Sequence, residues 1–266
     1  MTGVPCYDTC MEHETIPNAD TTAPETEVKE TEQSVESLLN TEQQEGPRAR
    51  VHLFYSPHFN PEDIEGLDQL YEDCDVYVPE SSTTIPWMTP LYDKVVAGEL
   101  TPDEAIERFE RKPPPSMLEL YRKQFSMLYN TKKTLAHLDI ELDHPVTNEL
   151  NKSRPFSYRG KSFDELMGLQ RTYVERVGKN QKKREEEIVS RLKRTVGALR
   201  TSPEFRDKDT INILMSYGAF HTGMSHMLQD EGFETSRTFS EMPFRYGAVY
   251  EAQRRARFNK DISDEL

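Results

Sequence analysis

The sequence lacks long hydrophobic runs and carries little cysteine. No apolar stretch in its 266 residues approaches the ~20 that a helix needs to cross a membrane. Residues 1–7 have neither a basic start nor an apolar core, so no secretory signal peptide is visible. The three cysteines are an odd number in a chain of this length, which argues against a disulfide framework. We therefore expect a protein of the reducing cytoplasm with no membrane span.

Common catalytic signatures are also absent. The sequence contains no G-x-S-x-G motif of a serine nucleophile elbow. It contains neither a G-x-x-x-x-G-K-[S/T] phosphate-binding loop nor a G-x-G-x-x-G dinucleotide fingerprint. Any chemistry that the chain performs must therefore use other residues.

Negative charge is concentrated at the start of the chain. The formal net charge is -14, and residues 1–47 hold eleven Asp or Glu and one lysine, which accounts for -10 of it. This segment is rich in Thr, Glu and Gln and buries too little apolar surface to offset the entropy of ordering. We predict a disordered acidic tail over residues 1–47 and a single domain over residues 48–266. The acidic charge also argues against nucleic acid and anionic membranes as partners.

The rest of the chain alternates apolar strands with helical segments. Residues 51–56, 75–78 and 210–216 are short runs of branched and aromatic side chains, which predict strands covered on both faces. Residues 60–71 begin with Asn-Pro and continue with helical apolar spacing, so they predict a helix between the first two strands. Such a strand-helix-strand unit is parallel and right-handed. We therefore predict an α/β domain with a mixed, largely parallel central sheet and a helical insert.

Two capping-box patterns mark helix starts. Residues 101–104 read Thr-Pro-Asp-Glu and residues 162–165 read Ser-Phe-Asp-Glu, the spacing at which the first side chain accepts from the fourth backbone N–H. The second box predicts a helix that runs to about Arg200. Residues 138–142 alternate apolar and acidic side chains and predict a strand. Its acidic face favours a solvated surface, with the alternative that Glu141 or Asp143 reaches a pocket.

The apolar stripe of the long helix is interrupted in its middle. Between Val177 and Ile188, the same face carries Gln181, Arg184 and Glu185. Buried polar groups need partners inside the fold, because burying them unpaired costs several kcal/mol. The pattern alone leaves two alternatives: these side chains are buried and paired, or the helix extends beyond the domain and this face is solvated.

Strand ends carry the residues best suited to chemistry. The last predicted strand leads to Gly218-Ala-Phe-His221, and the first leads to Ser56-Pro-His58. Ligands collect beyond the carboxyl ends of parallel strands, because each strand fixes a position and its loop exposes a side chain. Glu80 follows the second strand, so we expect His58, Glu80 and His221 to meet at one edge of the sheet.

The order of these motifs is informative as a set. A histidine turn, a glutamate after the second strand, an Arg-(Asn/Glu)-x-x-(Met/Ile) helix motif and a closing G-x-x-H follow one another over residues 51–239. This order resembles the superfamily of erythromycin esterase, ChaN, TraB and Tiki proteins. The matching elements here are His58, Glu80, residues 184–188 and residues 218–221. The first turn departs from the family pattern, because it lacks the usual glycine.

The resemblance implies a hydrolase of amide or ester bonds that acts on a small-molecule or peptide substrate. In Tiki-like peptidases the site binds a divalent metal, which implies that His58, Glu80 and His221 hold manganese, cobalt or zinc. In the esterases a histidine is the general base; Arg184 would then stabilise an oxyanion and Glu185 would orient an imidazole. The alternative is a catalytically inactive relative that binds a ligand or regulates partners.

Overall fold

The structure is a computed structural model of the whole chain. It describes residues 46–57, 61–80, 87–110, 112–141, 143–152, 160–240 and 255–256. The predicted acidic tail lies outside these ranges except for residues 46 and 47, and His58 also lies outside them. Within the described ranges, no helix is both long and apolar enough to cross a membrane.

The described residues form a five-stranded sheet in which every pair of neighbouring strands is parallel. Its strands are β1 (Arg48–Ser56), β2 (Val76–Pro79), β3 (Thr134–Leu135), β4 (Thr210–Gly218) and β5 (Glu234–Phe239), in the spatial order β3-β2-β4-β1-β5. The strands predicted over residues 51–56, 75–78 and 210–216 correspond to β1, β2 and β4. The predicted α/β class with a largely parallel sheet is therefore confirmed.

Helices cover both faces of this sheet. They are α1 (Leu67–Asp73), α2 (Met88–Ala97), α3 (Pro102–Glu107), α4 (Pro115–Leu128), α5 (Pro145–Lys152), α6 (Phe163–Thr201) and α7 (Met224–Asp230). Both predicted capping boxes are complete, with Thr101 at the start of α3 and Ser162 at the start of α6. In each box the fourth residue's N–H donates to the first side chain, and the fourth side chain accepts from the first N–H.

Alternation along β4 divides the core into two layers. Ile213, Met215 and Tyr217 pack in one apolar cluster with α6 and α7, whereas Leu214 packs in a second cluster with α1 to α4. Full burial of such a side chain contributes about 1.5–3 kcal/mol relative to exposure. Side chains of the first group, at the carboxyl end of β4, therefore face α6.

Two local predictions are wrong. The strand predicted over residues 138–142 is not present in residues 138–141, which the structure describes; the nearest strand, β3, has only two residues and ends at Leu135. Leu138 and Ile140 lie after it in irregular backbone and are buried, so the alternating pattern marks a covered segment and not a sheet strand. The helix predicted over residues 60–71 is a 3-10 turn followed by α1. Gly66 separates them because its left-handed backbone, with φ of 79°, interrupts the helix.

Candidate active site at the ends of β2 and β4

Glu80 leaves the sheet directly after β2 and is held against the neighbouring strand β4. Its backbone N–H donates to the carbonyl of Ser216 over 3.0 Å. Its side-chain Oε2 accepts a hydrogen bond from the N–H of Gly218. Because backbone and side chain both bind β4, the position of the carboxylate is fixed at the carboxyl edge of the sheet.

His221 ends a short 3-10 turn, Ala219–His221, that follows β4. The residue is buried, at 1% exposure. The hydroxyl of Tyr55, from β1, donates to its carbonyl over 3.1 Å. The ring of Tyr217 meets the imidazole edge to face, with ring centroids 5.1 Å apart. Strands β1 and β4 thus fix the backbone and the ring of His221.

The imidazole of His221 lies between two carboxylates. Its Nε2 is 3.2 Å from Oε1 of Glu80, and its Nδ1 is 3.2 Å from Oε1 of Glu185 on α6. The sequence predicted that Glu80 and Glu185 lie near a histidine, and the structure brings both carboxylates next to His221. One carboxylate therefore comes from the sheet and the other from the long helix.

Opposing effects set the pKa of His221. Burial lowers the pKa, but the charge of Glu80 and the hydrogen bonds to Glu185 and Glu80 outweigh it, so the pKa is raised above 6.5. The Gln181 amide nitrogen lies 3.0 Å from each ring nitrogen. When the imidazole of His221 is doubly protonated, neither ring nitrogen can accept a hydrogen bond from the Gln181 amide nitrogen. The charged imidazole therefore favours a Gln181 amide rotated by 180°, so that its oxygen accepts from the ring.

Arg184 connects the helix to both the sheet edge and the segment after β3. Its Nε donates to Oδ1 of Asp139 over 2.8 Å, and Nη2 donates to the other oxygen, a two-point pair. The same Nη2 lies 3.5 Å from Oε1 of Glu80. Burial lowers the pKa of the guanidinium, but hydrogen bonds and charge from Asp139 and then Glu80 raise it above its ordinary value.

Asp139 is the site residue that the sequence analysis missed. Its side chain is fully buried, and its Oδ1 also accepts the N–H of Ile140 over 2.8 Å. The local signal was its position between Leu138 and Ile140, because an acid flanked by two buried residues is a candidate for burial itself. Glu141, the alternative considered for the pocket, binds Arg191 through both oxygens at 2.7 Å instead. The Arg191 guanidinium holds the pKa of Glu141 at about 2.

Exposure separates the cluster into an inner and an outer part. The side chains of Glu185 and Asp139 are fully buried, and that of His221 is 2% exposed. Those of Glu80 and Arg184 are 18% and 15% exposed. A molecule that reaches the cluster would therefore meet Glu80 and Arg184 first, and the inner residues would act through them.

The described residues alone do not fit a metal ion. Of the three predicted ligands, His58 lies outside them, and a catalytic metal generally has three protein ligands. No three His, Cys, Asp or Glu side chains form a group suited to a metal in the part of the chain that the structure describes. The guanidinium of Arg184, near Glu80, also disfavours a second cation there. Metal binding therefore stays a prediction that depends on His58.

The fold and site define an α/β protein with a buried cluster of carboxylates, one histidine and one arginine at its strand ends. The chain matches no family model, no curated protein and no solved structure in comparisons with known proteins. The resemblance to the erythromycin esterase and Tiki superfamily therefore stays a prediction.

Proposed function

We propose that the protein is a hydrolase of amide or ester bonds, with Glu80, Arg184 and His221 as its central residues. The observation that supports this proposal is their convergence on the carboxyl ends of two adjacent parallel strands, where α/β proteins usually bind ligands. Burying charged side chains costs free energy, and such buried charges are common at catalytic sites.

Glu80 is the general base in this proposal. It takes a proton from a water molecule whose oxygen attacks the carbonyl carbon of the substrate. Negative charge then develops on the carbonyl oxygen, and the partly exposed guanidinium of Arg184 stabilises it. When the C–O or C–N bond breaks, the leaving group takes the proton from Glu80, which restores the carboxylate.

His221 and Glu185 set the properties of that base. A protonated imidazole 3.2 Å from Glu80 stabilises its carboxylate form and fixes its direction. Glu185 holds the second ring nitrogen at 3.2 Å, and it balances the positive charge inside the fold. Asp139 does the same for Arg184 through its two-point pair. These buried residues position the reacting groups without touching the substrate.

Glu80→Gln tests the proposal, because the amide keeps the shape of the side chain but accepts no proton. Initial rates are measured on p-nitrophenyl esters of short-chain acids and on fluorescently labelled casein. The expected result is hydrolysis of one of these classes by the natural protein and a loss of about 10²–10⁴-fold in kcat in the variant. Glu234→Gln is the control, since this exposed carboxylate lies at the opposite end of the sheet in β5. Equal rates in the two variants would contradict the role of Glu80.

The rival is a non-catalytic protein that binds a ligand or regulates a partner. One observation favours it: Arg184 is paired with Asp139 and His221 with two carboxylates, so the cluster is internally compensated without a substrate. No turnover on either substrate class, combined with unchanged folding in Glu80→Gln, would favour this rival over the hydrolase.

A further inference from the structure

Helix α6 begins well before the part of it that packs on the sheet. It has 39 residues, which corresponds to about 58 Å at the usual rise per residue. Its first buried residue is Val174, whereas every residue from 163 to 173 is exposed or half-buried. Among the described residues, the first three turns of α6 therefore contain no buried residue.

This exposed part of α6 carries an apolar surface, the α6 stripe, which consists of Phe163, Leu166, Met167, Leu169 and Tyr173. Phe163 is 74% exposed, Met167 is 47% exposed and Leu169 is 38% exposed. Their spacing of three and four residues places them along one side of the helix. Farther along the helix, the same side packs on the core. Clustered exposed side chains of this size mark an interaction surface.

The charges beside the stripe identify its partner. Asp164 and Glu165 lie in the first turn of α6, whereas residues 171–176, which hold Arg171, Glu175 and Arg176 and so have a net charge of +1, lie two to three turns later. A second copy of the helix in antiparallel orientation brings each acidic first turn close to the basic part of the other. A parallel copy would place like charges side by side. The sequence of this segment is therefore complementary to itself under a two-fold axis.

We propose that the α6 stripe is a homodimer interface, in which two copies of α6 pair antiparallel through residues 163–177. The contact goes beyond the proposed hydrolase activity and does not depend on it. Each helix contributes only about 22 Å of length, so the buried area is at the small end for specific interfaces. The dimer is therefore expected to be weak, with a Kd of roughly micromolar order.

Sedimentation equilibrium of the full chain over a wide concentration range tests the dimer. The natural protein is expected to approach twice its 30.9 kDa chain mass at high concentration. Met167→Glu is expected to raise Kd at least tenfold, because it buries a charge against the partner's apolar side chains. Thr172→Glu is the matched control. Thr172 lies nine residues, or about two and a half turns, after Phe163, which places it opposite Phe163 and outside the α6 stripe.

Both substitutions should preserve the helix. Each new glutamate precedes an arginine by four residues, Arg171 or Arg176, which is a favourable helical pairing. A monomer at all concentrations would overturn the proposal. So would equal Kd values for the two variants. A monomeric chain whose Tm falls in Met167→Glu and not in Thr172→Glu would show instead that the chain covers the stripe itself.

A second pair of variants tests the antiparallel register. Arg176→Glu and Lys179→Glu reverse the same charge on the same helix, but only Arg176 flanks the stripe. The expected result is a several-fold rise in Kd for Arg176→Glu, because its new carboxylate meets the partner's acidic first turn, and little change for Lys179→Glu. Equal Kd values for these two variants would overturn the antiparallel arrangement.

Discussion

The guanidinium of Arg184 binds both carboxylate oxygens of Asp139, although the two residues are 45 positions apart in the sequence. This pair joins α6 to the segment after β3, and Nη2 of Arg184 also approaches Glu80 after β2. Asp139 is fully buried, so its charge depends on Arg184 for compensation.

Arg184→Ala is therefore expected to lower the free energy of unfolding by about 3–5 kcal/mol, because it leaves a buried carboxylate unpaired. Urea unfolding followed by circular dichroism measures this loss. Lys183→Ala is the control at the next position of α6, where the side chain is exposed and a change should stay within about 0.5 kcal/mol. Equal effects in both variants would contradict a compensated buried pair.

Arg191 is not a suitable control for that experiment, although helical periodicity predicts an exposed side chain there. Its guanidinium binds both oxygens of Glu141 and donates to the carbonyl of Asp139 over 2.8 Å. Because the side chain is only 19% exposed and makes these contacts, Arg191→Ala is also expected to lower the free energy of unfolding.

The ionisation of His221 predicts a loss of stability as the pH rises. Although burial lowers its pKa, Glu80 and Glu185 raise it above 6.5 in the folded state. The folded state then binds the proton more tightly than the unfolded state, so this stabilisation is complete below about pH 6.5. It is lost as the pH rises through the folded-state pKa.

Urea unfolding of the natural protein and of His221→Gln at several pH values from 6 upward measures this effect. The free energy of unfolding should fall more steeply with pH in the natural protein, because glutamine has no proton to lose. Identical slopes would show that the imidazole is neutral in the fold.

Tyr217→Phe tests a buried hydroxyl. The side chain of Tyr217 is fully buried, and its hydroxyl has no hydrogen-bond partner among the described residues. Removing it should leave Tm unchanged or raise it, because a buried unsatisfied polar group costs about 1–3 kcal/mol.

Tyr77→Phe is the matched control for this measurement. Tyr77 is equally buried, but its hydroxyl accepts a hydrogen bond from the Gln124 amide over 2.9 Å. Its replacement leaves that donor without its partner and should lower Tm. A fall in Tm or in activity for Tyr217→Phe would show that its hydroxyl has a function in the site.

Metal analysis of protein purified without an affinity tag separates the metal-free proposal from the metal-dependent one. With Glu80 as the base, chelation should leave hydrolysis unchanged. Stoichiometric manganese, cobalt or zinc that is lost in both His58→Ala and His221→Ala would replace that proposal with the three-ligand site implied by the family resemblance.

Local sequence signals predicted much of this architecture. Parallel strands buried on both faces read as continuous apolar runs, which is why β1, β2 and β4 could be predicted. The polar gap in the stripe of α6 marked Arg184 and Glu185 but left burial and solvation as alternatives, and the structure shows Glu185 buried and Arg184 largely buried. The strand ends likewise indicated Glu80 and His221.

Long-range pairing was beyond the reach of the same signals. Asp139 is a site residue only because a helix 45 positions away presents Arg184 to it, and alternation in residues 138–142 resembles an exposed strand. The strand order is equally non-local, since β4 lies between β1 and β2 although it follows both by more than a hundred residues. Nothing in a short window of sequence encodes either relationship.

One helix carries both the α6 stripe and the inner residues Arg184 and Glu185. A continuous ladder of backbone hydrogen bonds joins the two parts, so a tilt of one end moves the other. If pairing of two copies favours one orientation of α6, it changes the affinity of the site for a ligand, and thermodynamic linkage requires that ligand to change the dimer affinity by the same factor. The affinity of the site for its ligand would then depend on the protein concentration, because the concentration sets the fraction of dimer.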